Sequence, residues 1–348
     1  MPEFRQRLTS LGRAVFWIAA AVQLASLAAC GGGGYGGGGM NMSVSSAGPS
    51  KLFAADSTDS VIGSLANPDP AAGSLMVDRA IGPMAPYFYN YAMLSTNIGS
   101  LALDTTRDIL YVGNGTSVLV FHSASMANGD LFTDASIGPI GNTGSMFLDA
   151  AHDRLYVGDD VNNVKVFSPA STANSMSMPR LVTGMTTPIH GLAVDTSSNN
   201  ILYVSNENAG THQISVFDNA DTVTTAAPNR TITPTVSTVN QPVGGISLDV
   251  AHNALYVAPG SGGNGIMVFT TASAATGQIA PAKTLTITSA TGILSVLVDS
   301  VNDRLYAVGS NGHIYLIEAV STLSSGTATA KDASLSNGGI LTAVTVHP

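Results

Sequence analysis

From residue 100 onward one pattern of apolar and polar positions recurs. An apolar segment ends in Asp, a short polar stretch comes next, then Leu-Tyr-Val, then a Gly/Asn/Asp loop, then an apolar segment ending in Val-Phe. The copies are LALDTTRDILYV (Leu101–Val112), MFLDAAHDRLYV (Met146–Val157), LAVDTSSNNILYV (Leu192–Val204), ISLDVAHNALYV (Ile246–Val257) and VLVDSVNDRLYAV (Val296–Val308). Short apolar runs bounded by turn formers predict strands. Weaker apolar segments beginning at Arg180, Arg230 and Lys283 supply a fourth strand per copy. The anchoring acids Asp104, Asp149, Asp195, Asp249 and Asp299 are 45, 46, 54 and 50 residues apart, and Phe121, Phe167, Phe217, Phe269 and Ile317 keep the same rhythm at the third-strand ends. Four β-like segments per period of 40–50 residues predict the blades of an all-β propeller.

The ends of the repeat region set the expected blade count. KLFAADSTDSVIGSL, from Lys51, matches the Leu-Tyr-Val strand and the third strand after it, without the strand that ends in Asp. LTAVTVHP, residues 341–348, matches that missing strand, with Thr345 in the Asp position. Five whole copies and one split copy predict a six-bladed ring over residues 51–348, closed when the C-terminal strand joins the N-terminal blade. Closure would leave no open inner edge. The pattern resembles the NHL and YVTN families of propeller repeats, although no copy contains the letters YVTN. That resemblance implies the architecture and is nearly silent on activity, because the fold hosts many functions.

Upstream, Arg5, Arg7 and Arg13 precede a run from Ala14 to Ala29 broken only by Gln23 and Ser26. A basic stretch, a short apolar core and small residues before a cleavage point make an export signal. Leu27-Ala28-Ala29-Cys30 resembles the lipobox of bacterial lipoproteins, which implies removal of residues 1–29 and a lipid such as palmitate on Cys30. An uncleaved signal anchor and an ordinary secreted protein are the alternatives. In that family Gly31, where an aspartate would retain the protein at the inner membrane, favours the outer membrane, on its periplasmic or surface side. Residues 30–50 begin with CGGGGYGGGG and stay small or polar. They read as a flexible tether with a reach of roughly 25 Å.

The 13 Lys and Arg against 22 Asp and Glu give a net charge of −9, which excludes the electrostatic footprint of a nucleic-acid binder. A single cysteine excludes an intramolecular disulfide and any multi-cysteine metal site.

Few residues suggest chemistry. The pairs Asp104/Asp108, Asp149/Asp153 and Asp299/Asp303 have counterparts in Asp195/Asn199 and Asp249/Asn253, so they read as turn formers rather than acid–base pairs. His152 and His252 share one turn position. His122 and His212 flank third strands without a consistent partner. His190 stands apart, five residues before Asp195, where other copies carry Gly99, Gly144, Gly244, Leu294 and Ile340. At the mouth of a central channel it could bind a metal or act as a base. The loops that should share its face supply Asp56, Asn114, Asp159, Asp160, Asn206, Glu207 and Asn311. Oxygens from Asp56, Asp159, Asp160 and Asn206 could hold Ca²⁺, and His190 with Glu207 could serve in catalysis. Related lactonases and lyases place metal ligands on such a face, but their glutamate-plus-asparagine constellation is absent here.

The most individual segment is PYFYNY, residues 86–91. The interval from Arg79 to Asp104 is about ten residues longer than the matching intervals of other copies. Tyr87, Phe88, Tyr89 and Tyr91 either present a recognition surface or fold over the channel. The leading functional expectation is an envelope-anchored propeller that binds a protein or polysaccharide and needs no cofactor. The alternative is a metal-dependent enzyme of the lactonase or lyase type.

Overall fold

The computed structural model describes residues 51–56, 61–65, 74–75, 79–82, 98–141, 143–159, 162–186, 188–197, 200–224, 227–236, 239–260, 262–335 and 341–347. The leader, Cys30, the glycine-rich tether, Tyr87, Phe88, Tyr89, Tyr91 and Asp160 lie outside them. The described part is an all-β propeller. Its strands fall into six sheets, each built outward from an inner strand through antiparallel neighbours. The inner strands are Ile98–Asp104, Ser145–Asp149, Ile189–Asp195, Ile246–Asp249, Ile293–Asp299 and Leu341–His347. Leu341–His347 is antiparallel to Lys51–Asp56 and so belongs to the sheet formed by the N-terminal strands. The inner strands lie against one another in succession, and Leu341–His347 touches both Ile293–Asp299 and Ile98–Asp104.

Leu-Tyr-Val recurs because each strand is buried on both faces. Leu202 and Val204 pack with Tyr156, Val164 and Val166 of the preceding sheet. Tyr203, between them, packs with Leu255, Val257 and Phe269 of the next one. Successive side chains point to opposite faces, so a strand sandwiched between two sheets must be apolar at every position. Four further buried clusters repeat the arrangement, and the one joining Tyr306, Ile314 and Leu316 to Leu52 and Ala54 links the last sheet to the first. The inner strands approach so closely that a Cβ on Gly191 would stand 2.6 Å from the amide nitrogen of Ile246. Only glycine fits there.

The repeated acids are turn formers, as expected. Asp104 is fully buried and accepts from the backbone amides of Thr106 and Arg107, and from the Arg107 guanidinium at 2.8 Å. Asp299 binds Val301 and Asn302 in the same way. The second acid of each pair takes a left-handed conformation, with φ of 57° at Asp108, 53° at Asp153 and 52° at Asp303, which Asp and Asn tolerate. Its carboxylate reaches across to the turn after the third strand. Asp108, Asp153 and Asp303 accept from both the amide and the hydroxyl of Ser125, Ser171 and Ser321. In the fourth sheet this position is taken by Asn200, with φ of 47°, because the turn is one residue longer. Asn199, assigned to it from spacing, lies outside the described residues.

Basic side chains tie neighbouring sheets together at the rim. From fourth strands, Arg79 donates to the Ser125 carbonyl, Arg180 to Ala220 at 2.8 Å, Arg230 to Ser273, and Lys283 to Ser321 at 3.1 Å. Each acceptor lies in the turn after the third strand of the next sheet. The chain beyond four such turns adds a short parallel strand to an outer edge: Gly129–Asp130, Gly277–Ile279, Gly326–Thr327 and Ser74–Leu75. This covering blunts edges that would otherwise offer free backbone groups to another chain.

One turn makes a pH-dependent prediction. His252 Nδ1 is 2.7 Å from Asp249 Oδ2, and this hydrogen bond, with the carboxylate charge behind it, raises the imidazole above its ordinary value of 6.5. A raised folded-state value means that the stabilisation is fully present below the unfolded value and is lost as pH rises through the folded one. In an NMR titration His252 is expected to titrate above 6.5, and Asp249→Asn should bring it back. An unchanged midpoint in Asp249→Asn would refute the assignment.

Candidate functional site

The inner strands surround a central cavity of about 350 Å³. Each contributes a small or polar side chain to it, among them Ser100, Ser145, His190, Ser247, Ser295 and Thr345. Among the described residues, histidine is the one titratable type in that lining. Its position comes from a break in pairing: Ile189 opposes Asn206 and Gly191 opposes Ser205, so His190 is the extra residue of a β-bulge. Gly99 and Leu294 are skipped at the same point of their own sheets. A bulge re-aims the side chain it carries. The result here is an imidazole whose Nε2 is buried without a hydrogen-bond partner among the described residues.

The fourth sheet has a second local peculiarity. Its second and third strands, Ile201–Asn208 and Thr211–Asp218, are eight residues each, whereas Ile109–Asn114 and Ser117–His122 are six. The extended hairpin turns through Ala209 and Gly210, both at positive φ. The added length creates the cross-strand pair Glu207 and His212, with His212 Nδ1 3.8 Å from Glu207 Oε2. Bulge and hairpin meet, so that one ligand-type atom from each of His190, Glu207 and His212 lies within 4.8 Å of the others. Burial, and secondarily His212, lower the pKa of His190, while Glu207 partly opposes them. The imidazole is thereby favoured in its neutral form.

The expected site residues therefore separate. His190 and Glu207 come together, joined by His212, which sequence spacing had left without a partner. Asp56 and Asn206 lie in different sheets, and Asp159 directly follows a strand of a third. Asp159 is buried, accepts from the Asn163 amide at 2.8 Å and pairs with Lys165 at 3.3 Å. Asn206 is fully buried, donates to Thr186 and accepts from Ser215 Oγ. Its side chain thus braces the strand pair behind the site. Asn311 donates to the Tyr315 hydroxyl at 2.9 Å. His122, at the end of a strand of the second sheet, pairs with Asp134 at 3.3 Å. Among the described residues, His190, Glu207 and His212 are the one group of three metal-competent side chains.

No protein-family model matches the chain, and no curated protein matches it. Among solved structures, it is similar to a chain of the crystal structure of a nidogen/laminin complex, with a TM-score of 0.59 and 14% identity. The match covers 86% of this chain and 98% of the other. At that identity the likeness concerns the fold.

Proposed function

We propose that this chain is an exported, lipid-anchored binding protein: a six-bladed propeller of NHL/YVTN-like repeats that presents a loop-rich face to a protein or polysaccharide of the cell envelope. Removal of residues 1–29 leaves a lipid on Cys30, the glycine tether spaces the ring from the outer membrane, and residues 341–348 complete the first blade. The six inner strands and the buried contact between the last and first sheets support the blade count and the closure. One observation carries the binding role. The repeated carboxylates are consumed by turn hydrogen bonds, and the central cavity is lined mainly by glycine, serine and aliphatic side chains. A scaffold so built has rigid surfaces to offer rather than a central acid–base pair.

The aromatic segment Tyr87–Tyr91 is the contact region this reading favours. Tyrosine covers a wide amphipathic area and loses little entropy on binding. The similar nidogen/laminin structure is of a protein–protein complex, which accords with a recognition role. The test replaces Tyr87, Tyr89 and Tyr91 together by Ser in the full-length protein. Crosslinked capture of envelope protein, or co-sedimentation with envelope polysaccharide, should fall at least tenfold at an unchanged melting temperature. Equal capture by wild type and variant would sink the assignment of this loop.

A further inference from the structure

We propose that His190, Glu207 and His212 form a binding site for one divalent transition-metal ion of the zinc type. Two imidazoles and a carboxylate are a ligand set that suits zinc, with three protein ligands leaving a fourth position open. Calcium, in contrast, asks for six to eight oxygens, which this cluster does not have. Glu207 adds an acidic side chain to the two imidazoles, which suits a cation. The side chains of Glu207 and His212 are 33% and 26% exposed, so an ion can enter from solvent.

Geometry makes the same case. Zinc bonds of about 2.0–2.2 Å in a tetrahedron place ligand atoms roughly 3.3 Å apart. The three atoms now lie within 4.8 Å of one another, so side-chain rotations that close them by up to about 1.5 Å suffice. A plain cross-strand ion pair between Glu207 and His212 accounts for two of the residues. It leaves unexplained the buried Nε2 of His190, a polar atom that costs free energy while it lacks a partner. A metal ion satisfies it. Both backbone departures of the fourth sheet serve the site, since the bulge aims His190 and the hairpin extension supplies the rung that bears Glu207 and His212. The open fourth position could take water or a donor atom from a bound partner.

The experiment uses full-length protein stripped with a chelator, equilibrium dialysis against Zn²⁺, and Co²⁺ as a spectroscopic probe. One Zn²⁺ per chain is expected, and the Co²⁺ form should show the strong visible absorption of a tetrahedral site. His190→Gln, Glu207→Gln and His212→Gln should each weaken Zn²⁺ binding at least tenfold and remove the Zn²⁺-induced rise in melting temperature. His313→Gln serves as the control, because His313 pairs with Asp332 at 2.7 Å in another sheet and should change nothing. Circular dichroism establishes that each variant is folded, and the partly exposed Glu207 and His212 keep the test open if His190→Gln is not. Substoichiometric Zn²⁺, or stoichiometric Zn²⁺ that survives all three substitutions, overturns the site. Neither result bears on the tyrosine segment, so this proposal and the binding role fail separately.

Discussion

A chain that ends at residue 340 is expected not to reach the native state. Leu341–His347 forms the inner neighbour of Lys51–Asp56, in register from Lys51 opposite His347 to Ala55 opposite Ala343. Its loss strips the N-terminal strand of its ladder partner and opens the wall between the last sheet and the second. Leu52 and Ala54, now 1% and 2% exposed against Tyr306 and Leu316, would meet water with the apolar faces they cover. Uncovering a large apolar side chain costs about 1.5–3 kcal/mol, and several are affected at once. The sum approaches the roughly 5–15 kcal/mol that holds a typical domain together. The freed edge of Lys51–Asp56 would also be a template for aggregation. The measurement is cooperative melting by circular dichroism, with limited proteolysis beside it. A permuted chain supplies the control. Moved ahead of Lys51 through a short turn, the same strand should restore melting close to wild type, because His347 already lies opposite Lys51. If the truncated chain melts cooperatively within about 1 kcal/mol of wild type, the strand is dispensable and the proposed closure is wrong.

That the split repeat could be read at all reflects how local its signal is. The Asp that ends an inner strand, the left-handed Asp or Asn four or five places on, and Leu-Tyr-Val all lie within about a dozen residues, and each has one physical reason. The partners of these groups were not legible. Ser125, Ser171 and Ser321 bind the second acid of their sheets across 17 to 18 residues, and nothing in their surroundings marks them as its partners. Arg180 and Lys283 looked like strand-opening cations, yet they bind carbonyls of the next sheet. Such contacts depend on how one sheet sits on another, which a periodic pattern does not encode. The candidate site was half legible for a similar reason. His190 stood out because its counterparts are small or aliphatic. His212 did not, since its meaning depends on a hairpin two rungs longer than in the second sheet and on the register that sets it opposite Glu207. The visible clue was NENAGTHQ, whose Ala-Gly turn sits midway between Glu207 and His212.

The largest change in where the protein sits is expected from Cys30→Ser. Residues 14–29 supply an apolar core that is too short to span a bilayer comfortably, so in the proposed reading retention at the membrane rests on the lipid. Each buried methylene of an acyl chain contributes about 0.8 kcal/mol, and a single chain holds a protein only reversibly, whereas several chains on one terminus hold it firmly. Serine accepts no thioether-linked lipid. Metabolic labelling with a radioactive or clickable fatty acid should therefore fall from strong to background in the variant, and the membrane-bound fraction should fall with it. The propeller itself should be unaffected, because roughly 20 residues of glycine-rich tether separate Cys30 from Lys51. Equal melting curves for wild type and variant would show that anchoring and folding are independent. A variant that stays in the membrane at its unprocessed length would instead mean that residues 1–29 act as an uncleaved anchor. In that case the glycine tether would hang from a peptide rather than from a lipid.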